Sequence, residues 1–200
     1  MAQTKKTNNS YFGNKVELRC NYLPENPVVL DCYAGAGLIW KAVEYKTGIK
    51  IKYVGIDVID YGVGFYLTGD NMSYLQTMDL TRFNVIDLDA YGVPYEQLKT
   101  IFGRGYSGRV FVTFIQSLYG QMPVGLLEEI GFTNGMVEKI PTLFGKNGWN
   151  YFIEWLALNG VRAITHRSNG RKHYLTFISG TAELVSSSDN RMADKVVGHA

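Results

Sequence analysis

Three acidic residues, Asp31, Asp57 and Asp70, each follow a short apolar run, and the first is followed by two glycines, Gly35 and Gly37. The run Val28-Val29-Leu30-Asp31 passes through Cys32-Tyr33-Ala34 into that glycine turn, and Leu38 then opens a helical pattern. A glycine turn between strand and helix lets the backbone lie against a ligand and aims free helix N–H groups at its negative end. Twenty residues after Gly37, the run Tyr53-Val54-Gly55-Ile56 ends in Asp57. A carboxylate at that distance is placed to grip the two hydroxyls of an adenosine ribose. A third run, Gly64-Phe65-Tyr66-Leu67, leads to Gly69-Asp70-Asn71. The chemistry implied is the holding of an adenosine-containing cofactor. The bland alternatives are that Asp57 caps a helix and Asp70 sits in an ordinary turn.

The identity of that cofactor turns on one position. A dinucleotide turn, G-x-G-x-x-G, needs a third glycine where helix and strand pack closely, and here Trp40 stands in that place. NAD and FAD are therefore disfavoured. The pattern D-x-x-A-G-x-G, Asp31 to Gly37, resembles motif I of the class I S-adenosylmethionine (SAM) methyltransferases, and the likeness extends to Asp57 and to Gly69-Asp70-Asn71. The resemblance implies SAM as cofactor. Asp31, Gly35 and Gly37, with Tyr33 beside them, would lie along its methionine part, Asp57 would bind ribose, and Asp70 with Asn71 would meet adenine.

A further site follows the fourth strand-like run, Phe83-Asn84-Val85-Ile86, in the segment Asp87-Leu88-Asp89-Ala90-Tyr91-Gly92. Ligands of open α/β sheets bind at the carboxyl ends of the strands, so this segment borders the cofactor crevice. An exocyclic amine on a nucleobase is a poor nucleophile because its lone pair is delocalised into the ring. A carboxylate that accepts its N–H orients the lone pair and offsets the charge that develops on nitrogen. A neighbouring aromatic ring can stack on the base. Asp89 and Tyr91 have the types for these two catalytic roles, and Asp87 is assigned to the cofactor side. The segment resembles the D-P-F-G site of tRNA guanosine N2-dimethyltransferases and, more distantly, the D-P-P-Y site of amino-methylating enzymes. Ala90 departs from both by replacing proline, which loosens the turn. Upstream, Tyr11-Phe12-Gly13-Asn14-Lys15 resembles the F-x-G-x-K segment of some DNA adenine methyltransferases, which implies that Phe12 and Lys15 help to hold SAM.

The elements that must position these residues alternate between strand-like and helical patterns, as in an α/β sheet. A helix is expected over Leu38 to Lys46 with Gly48 as its stop, another after Pro94 ended by Gly103, a third after Pro123, and a fourth after Asn147 carrying Trp149, Phe152, Ile153 and Leu156. After a fifth strand at Arg109–Phe114, the runs Val161–Arg167 and Lys172–Ile178 flank Asn169-Gly170, a strong hairpin pair. The expected fold is a Rossmann-like class I methyltransferase sheet of seven strands, mostly parallel, with an antiparallel C-terminal hairpin and helices on both faces. Residues 1–27 are read as an N-terminal segment packing near the cofactor site, 28–180 as the methyltransferase domain, and 181–200 as a mobile tail.

Composition bounds the rest. The chain has 200 residues, 46% hydrophobic and 19% charged, with a net charge of +2. These are values of a folded globular protein, and overall charge gives no argument for nucleic acid. Arg162, Arg167, Arg171 and Lys172, with His166 and His173, form a local basic cluster that suits a phosphate-tracking surface or a solvated hairpin tip. Two cysteines, Cys20 and Cys32, suggest a reduced, cytoplasmic setting without a structural metal, and no apolar run has the length of a membrane span. The expected activity is methyl transfer from SAM to an amino nitrogen of a nucleobase in RNA or DNA. The alternatives are a small-molecule or protein methyltransferase, or a non-catalytic SAM-binding partner subunit. Nucleic acid is the expected partner, and association with another protein or a second copy is left open.

Overall fold

The computed structural model describes residues 11–62, 65–116, 122–139 and 145–180. Seven strands form one sheet: β1 (Val28–Asp31), β2 (Lys52–Asp57), β3 (Tyr66–Thr68), β4 (Val85–Leu88), β5 (Gly108–Ile115), β6 (Thr165–Asn169) and β7 (Lys172–Ser179). Their order is β3-β2-β1-β4-β5-β7-β6. The first five are parallel, and β7 runs antiparallel to both β5 and β6. The order reverses between β1 and β4, which is the switch point where open α/β sheets bind ligands.

Helices cover both faces. Against one lie α1 (Phe12–Asn21) and α2 (Leu38–Thr47), packed on Val29, Val85, Phe111 and Tyr174. The other face carries α3 (Asn71–Thr77), α4 (Tyr95–Gly103), α5 (Val124–Glu129), α6 (Asn134–Lys139) and α7 (Gly148–Leu158), over a core that includes Leu30, Ile86, Leu98, Val112, Phe152 and Phe177. β1 and β4 are central and bury side chains on both faces, so each is apolar apart from one buried aspartate, Asp31 and Asp87. The helix after Gly37 ends at Gly48, whose φ of 70° closes the last turn. The hairpin turn falls at Gly170-Arg171, one residue later than the expected Asn169-Gly170, because Asn169 still pairs with Lys172 as the last residue of β6 and Gly170 takes the left-handed position with φ of 58°.

The structure corrects several boundaries. β4 starts at Val85, two residues later than expected. Asp79 accepts from the Thr81 N–H and hydroxyl and winds Leu80–Arg82 into a 3-10 turn, so Phe83 is its C-cap. Asn84 lies outside the strand and accepts from Val28 N at 2.8 Å, fastening the entry of β4 to that of β1. β3 starts at Tyr66, and Gly64 lies outside the described residues, as does 181–200. Asn147 occupies the N-cap position of α7, but its side chain makes no capping bond. On α7 the fully buried side chains are Phe152, Trp155 and Leu156, while Trp149 and Ile153 are half-buried. α1, α3 and α6 were not anticipated. Among the described residues, no helix is long and apolar enough to cross a membrane.

Candidate active site

The carboxyl ends of β1, β2, β3 and β4 bring the sequence-selected residues into two neighbouring groups. The first surrounds a cavity of about 270 Å³ lined by Tyr33, Asp57, Gly69, Asp70, Asn71 and Gln97, among others. Gly35 and Gly37 have φ of 51° and 67°, a left-handed backbone that side chains resist. A Cβ on Gly37 would also meet the Tyr66 hydroxyl, which would have to shift aside. Asp57 accepts from Gly35 N at 2.8 Å with one oxygen and from Ile59 N at 3.0 Å with the other. It thus braces the glycine turn, and each oxygen keeps a further lone pair for a ligand hydroxyl. Asn71 donates to the Cys32 carbonyl at 2.9 Å and accepts from Gln97 at 3.2 Å, so its amide is fixed on both sides.

Asp70 is the cap of α3, accepting from Met72 N and Ser73 N at 3.3 Å each. Helix capping, the plain alternative considered for Asp57, is thus found at Asp70, which also lies on the cavity wall.

The second group is a layer of charge buried between the sheet and α1. Asp31 and Asp87 are register partners on β1 and β4, and both are buried. Arg19 of α1 reaches Asp87 bidentately, Nε to Oδ2 at 2.7 Å and Nη2 to Oδ1 at 2.6 Å, and its Nη1 donates to the Lys15 carbonyl. The Trp40 indole donates to Asp87 Oδ2 at 2.8 Å. Burial works against the Arg19 cation, but Asp87 beside it overcomes this and raises its pKa further. The Asp87 carboxyl is nonetheless pushed up, by burial first, against the pull of Arg19.

Asp31 has no cation of its own. It accepts from Tyr33 N at 3.1 Å and from the Tyr53 hydroxyl at 3.0 Å. Burial, then the Asp87 charge, hold its pKa well above the usual carboxylate range. The same environment, with Asp31 adding to burial, pushes the Tyr53 phenol far up.

Asp89 closes the layer toward solvent. Lys15 Nζ lies 2.7 Å from its Oδ2, and the Thr113 hydroxyl of β5 donates to its Oδ1. Two residues expected on the cofactor side have partners within the chain. Lys15 is paired with Asp89. Asp87, expected just after the fourth strand, lies inside β4 and is bonded by Arg19 and Trp40. Tyr91 is 88% exposed and Phe12 packs into the apolar cluster under α1, so neither is brought to the cavity.

Sequence reasoning missed Arg19, Trp40, Tyr53, Tyr66, Gln97 and Thr113. Only the first left a trace, since Lys15 and Arg19 stand at i, i+4 and share a helix face. The basic hairpin is partly neutralised: Arg167 pairs with Glu17 of α1 at 2.6 Å. His173 stacks on Trp149, with ring centres 3.9 Å apart, and burial followed by the charge of His166 pushes its pKa down to about 4, so it is neutral near pH 7.

No protein-family model matches the chain, and no curated protein matches it. Solved structures do. A ribosomal protein L11 methylase from Lactobacillus delbrueckii subsp. bulgaricus superposes with a TM-score of 0.50 at 15% identity, over 86% of this chain and 79% of that one. An O-methyltransferase family protein from Burkholderia thailandensis (TM-score 0.48, 14% identity) and human N-acetylserotonin methyltransferase in complex with SAM (0.49, 15%) match 86% and 84% of this chain. The chain spans only 56% and 52% of the length of those two. With the observed strand order, the L11 methylase superposition defines the class: the chain has the Rossmann-like fold of class I methyltransferases. At such identities the likeness speaks for the fold alone.

Proposed function

We propose that the protein is a SAM-dependent methyltransferase whose acceptor is an amino nitrogen of a nucleobase in RNA or DNA. The observation that carries this reading is the placement of polar groups along one edge of the sheet: Asp57, Asp70 and Asn71 around one cavity, the glycine turn tied to it through the bond from Gly35 N to Asp57, and Asp89 one strand further along. The residues suit the cofactor. Asp57 has lone pairs for ribose hydroxyls, the cavity has the amide of Asn71 and the ring of Tyr33 for a base, and the turn at Gly37 lets backbone approach the methionine end. SAM would supply an already activated methyl group, so the chain's own work is alignment and electrostatics. Asp89 would accept an N–H of the amine and steady the charge forming on nitrogen, with Thr113 holding the carboxylate in orientation. Arg162 and Arg171 are exposed and suit a phosphate backbone.

A second reading, a SAM-binding subunit without its own activity, is favoured by one observation: both oxygens of Asp89 are already engaged, by Lys15 and Thr113. One experiment separates the two. Full-length protein is incubated with SAM and total RNA, DNA or small-molecule extract, and methylated nucleosides are measured by mass spectrometry. The methyltransferase reading predicts a methylated amino group that Asp89→Ala lowers by roughly 10²–10⁴-fold while SAM binding persists. Intact SAM binding with no product on any substrate supports the subunit reading.

A further inference from the structure

Tyr174 carries a hydroxyl that finds no hydrogen-bond partner among the described residues, although the residue is only 1% exposed. Buried phenols normally find a partner, so an orphan asks for an explanation. Its surroundings supply one. Tyr174 sits on β7 directly opposite Thr113 of β5, the residue whose hydroxyl holds Asp89. Lys15 Nζ, the other partner of Asp89, lies 5.7 Å from the Tyr174 ring centre. Burial first, and then the charge of Asp89 and the phenol of Tyr11, push the Tyr174 hydroxyl up to about 12. The hydroxyl is thus a proton donor throughout the neutral range, within electrostatic reach of the Asp89 carboxylate. Tyr11, at the start of α1, is 44% exposed.

We propose that Tyr174 is an acceptor-binding residue: its hydroxyl donates to the ring nitrogen beside the amino group whose N–H is received by Asp89. The inference rests on the methyltransferase reading and narrows its substrate. One donor beside one acceptor complements an amidine-like edge, an N–H next to a lone pair, as carried by adenine, cytosine and the N2 side of guanine. A uracil edge has no amine to offer Asp89. An ionised carboxylate, which only accepts, does not match the pair. Lys15, on a flexible four-carbon stem, is what the incoming base displaces from Asp89. Release of Lys15 uncovers the carboxylate and the phenol together.

The test is Tyr174→Phe in the full chain, which removes one oxygen and keeps the ring. Three measurements are made: the urea midpoint, SAM affinity by calorimetry, and methyl-transfer kinetics on short single strands of adenylate, cytidylate, guanylate and uridylate. The expected result is an unchanged or higher midpoint, because the hydroxyl has no partner to lose, with SAM affinity unchanged. KM for the methylated strand rises about tenfold, as for one lost hydrogen bond. The uridylate strand stays unmodified. A lower midpoint with unchanged kinetics would show that the hydroxyl serves the folded protein and would overturn the proposal, as would methylation of uridylate. Failure of the underlying reading looks different, because the parent protein then binds no SAM, or binds it and methylates none of the four strands.

Discussion

Asp31 is the residue on which the electrostatics of the site turn. Three carboxylates, Asp31, Asp87 and Asp89, share a buried layer with two cations, Arg19 and Lys15, and both cations are committed elsewhere. Asp31 is left with a phenol and a backbone N–H. Its folded pKa lies above the unfolded value, so at this residue the folded chain holds the proton more tightly and the residue's contribution to stability is lost as pH rises above about 4. Asp31→Asn removes this titration. Its stability should exceed that of the parent near neutral pH by on the order of 1–3 kcal/mol, and the gap should shrink as pH falls toward the unfolded value. Urea midpoints across that pH range check this, and a gap independent of pH would show that Asp31 is not the surplus charge. Little of this was legible from sequence. The acid after the first strand was visible, but the absence of a cation for it depends on where Arg19 and Lys15 are spent.

Helix α1 is the element that sequence reading could not supply, and the reason is physical. Its inward side includes Lys15 and Arg19, and a scan for apolar periodicity treats both as solvent-facing. What permits their burial is Asp87 and Asp89, 68 and 74 residues away in the chain. By contrast, the glycine turn, the helix after it and the existence of the hairpin around Gly170 were legible because each depends on local chemistry. The start of β4 was misplaced for a related reason. Phe83 and Asn84 are strand-like by type, but the turn capped by Asp79 takes Phe83 as its C-cap, and β4 begins at Val85. The anchoring of α1 has a measurable strength. Arg19→Met leaves Asp87 buried without its cation and should cost about 3–5 kcal/mol. Adding Asp87→Asn removes the stranded charge and should recover most of that loss. An Arg19→Met protein as stable as the parent would mean that the pair does not hold α1 to the sheet.

At the scale of the molecule, the sheet reverses its strand order between β1 and β4, and every cofactor-side group descends from that fact. Asp57 and the glycine turn meet because β2 lies beside β1, and Asp70 joins them because β3 lies beside β2. The alternation of strands and helices made this architecture readable in advance. The pairing of α1 with the hairpin, through Glu17 and Arg167, joins residues 150 apart and was not readable. The central claim is that this crevice holds SAM by its ribose on Asp57. Titration calorimetry of SAM into the full chain and its Asp57→Ala variant tests that claim most directly. One-site binding by the parent and a loss of about 1–3 kcal/mol in a folded Asp57→Ala protein are expected. Absence of SAM binding by the parent, or equal affinity in the folded variant, would contradict that claim.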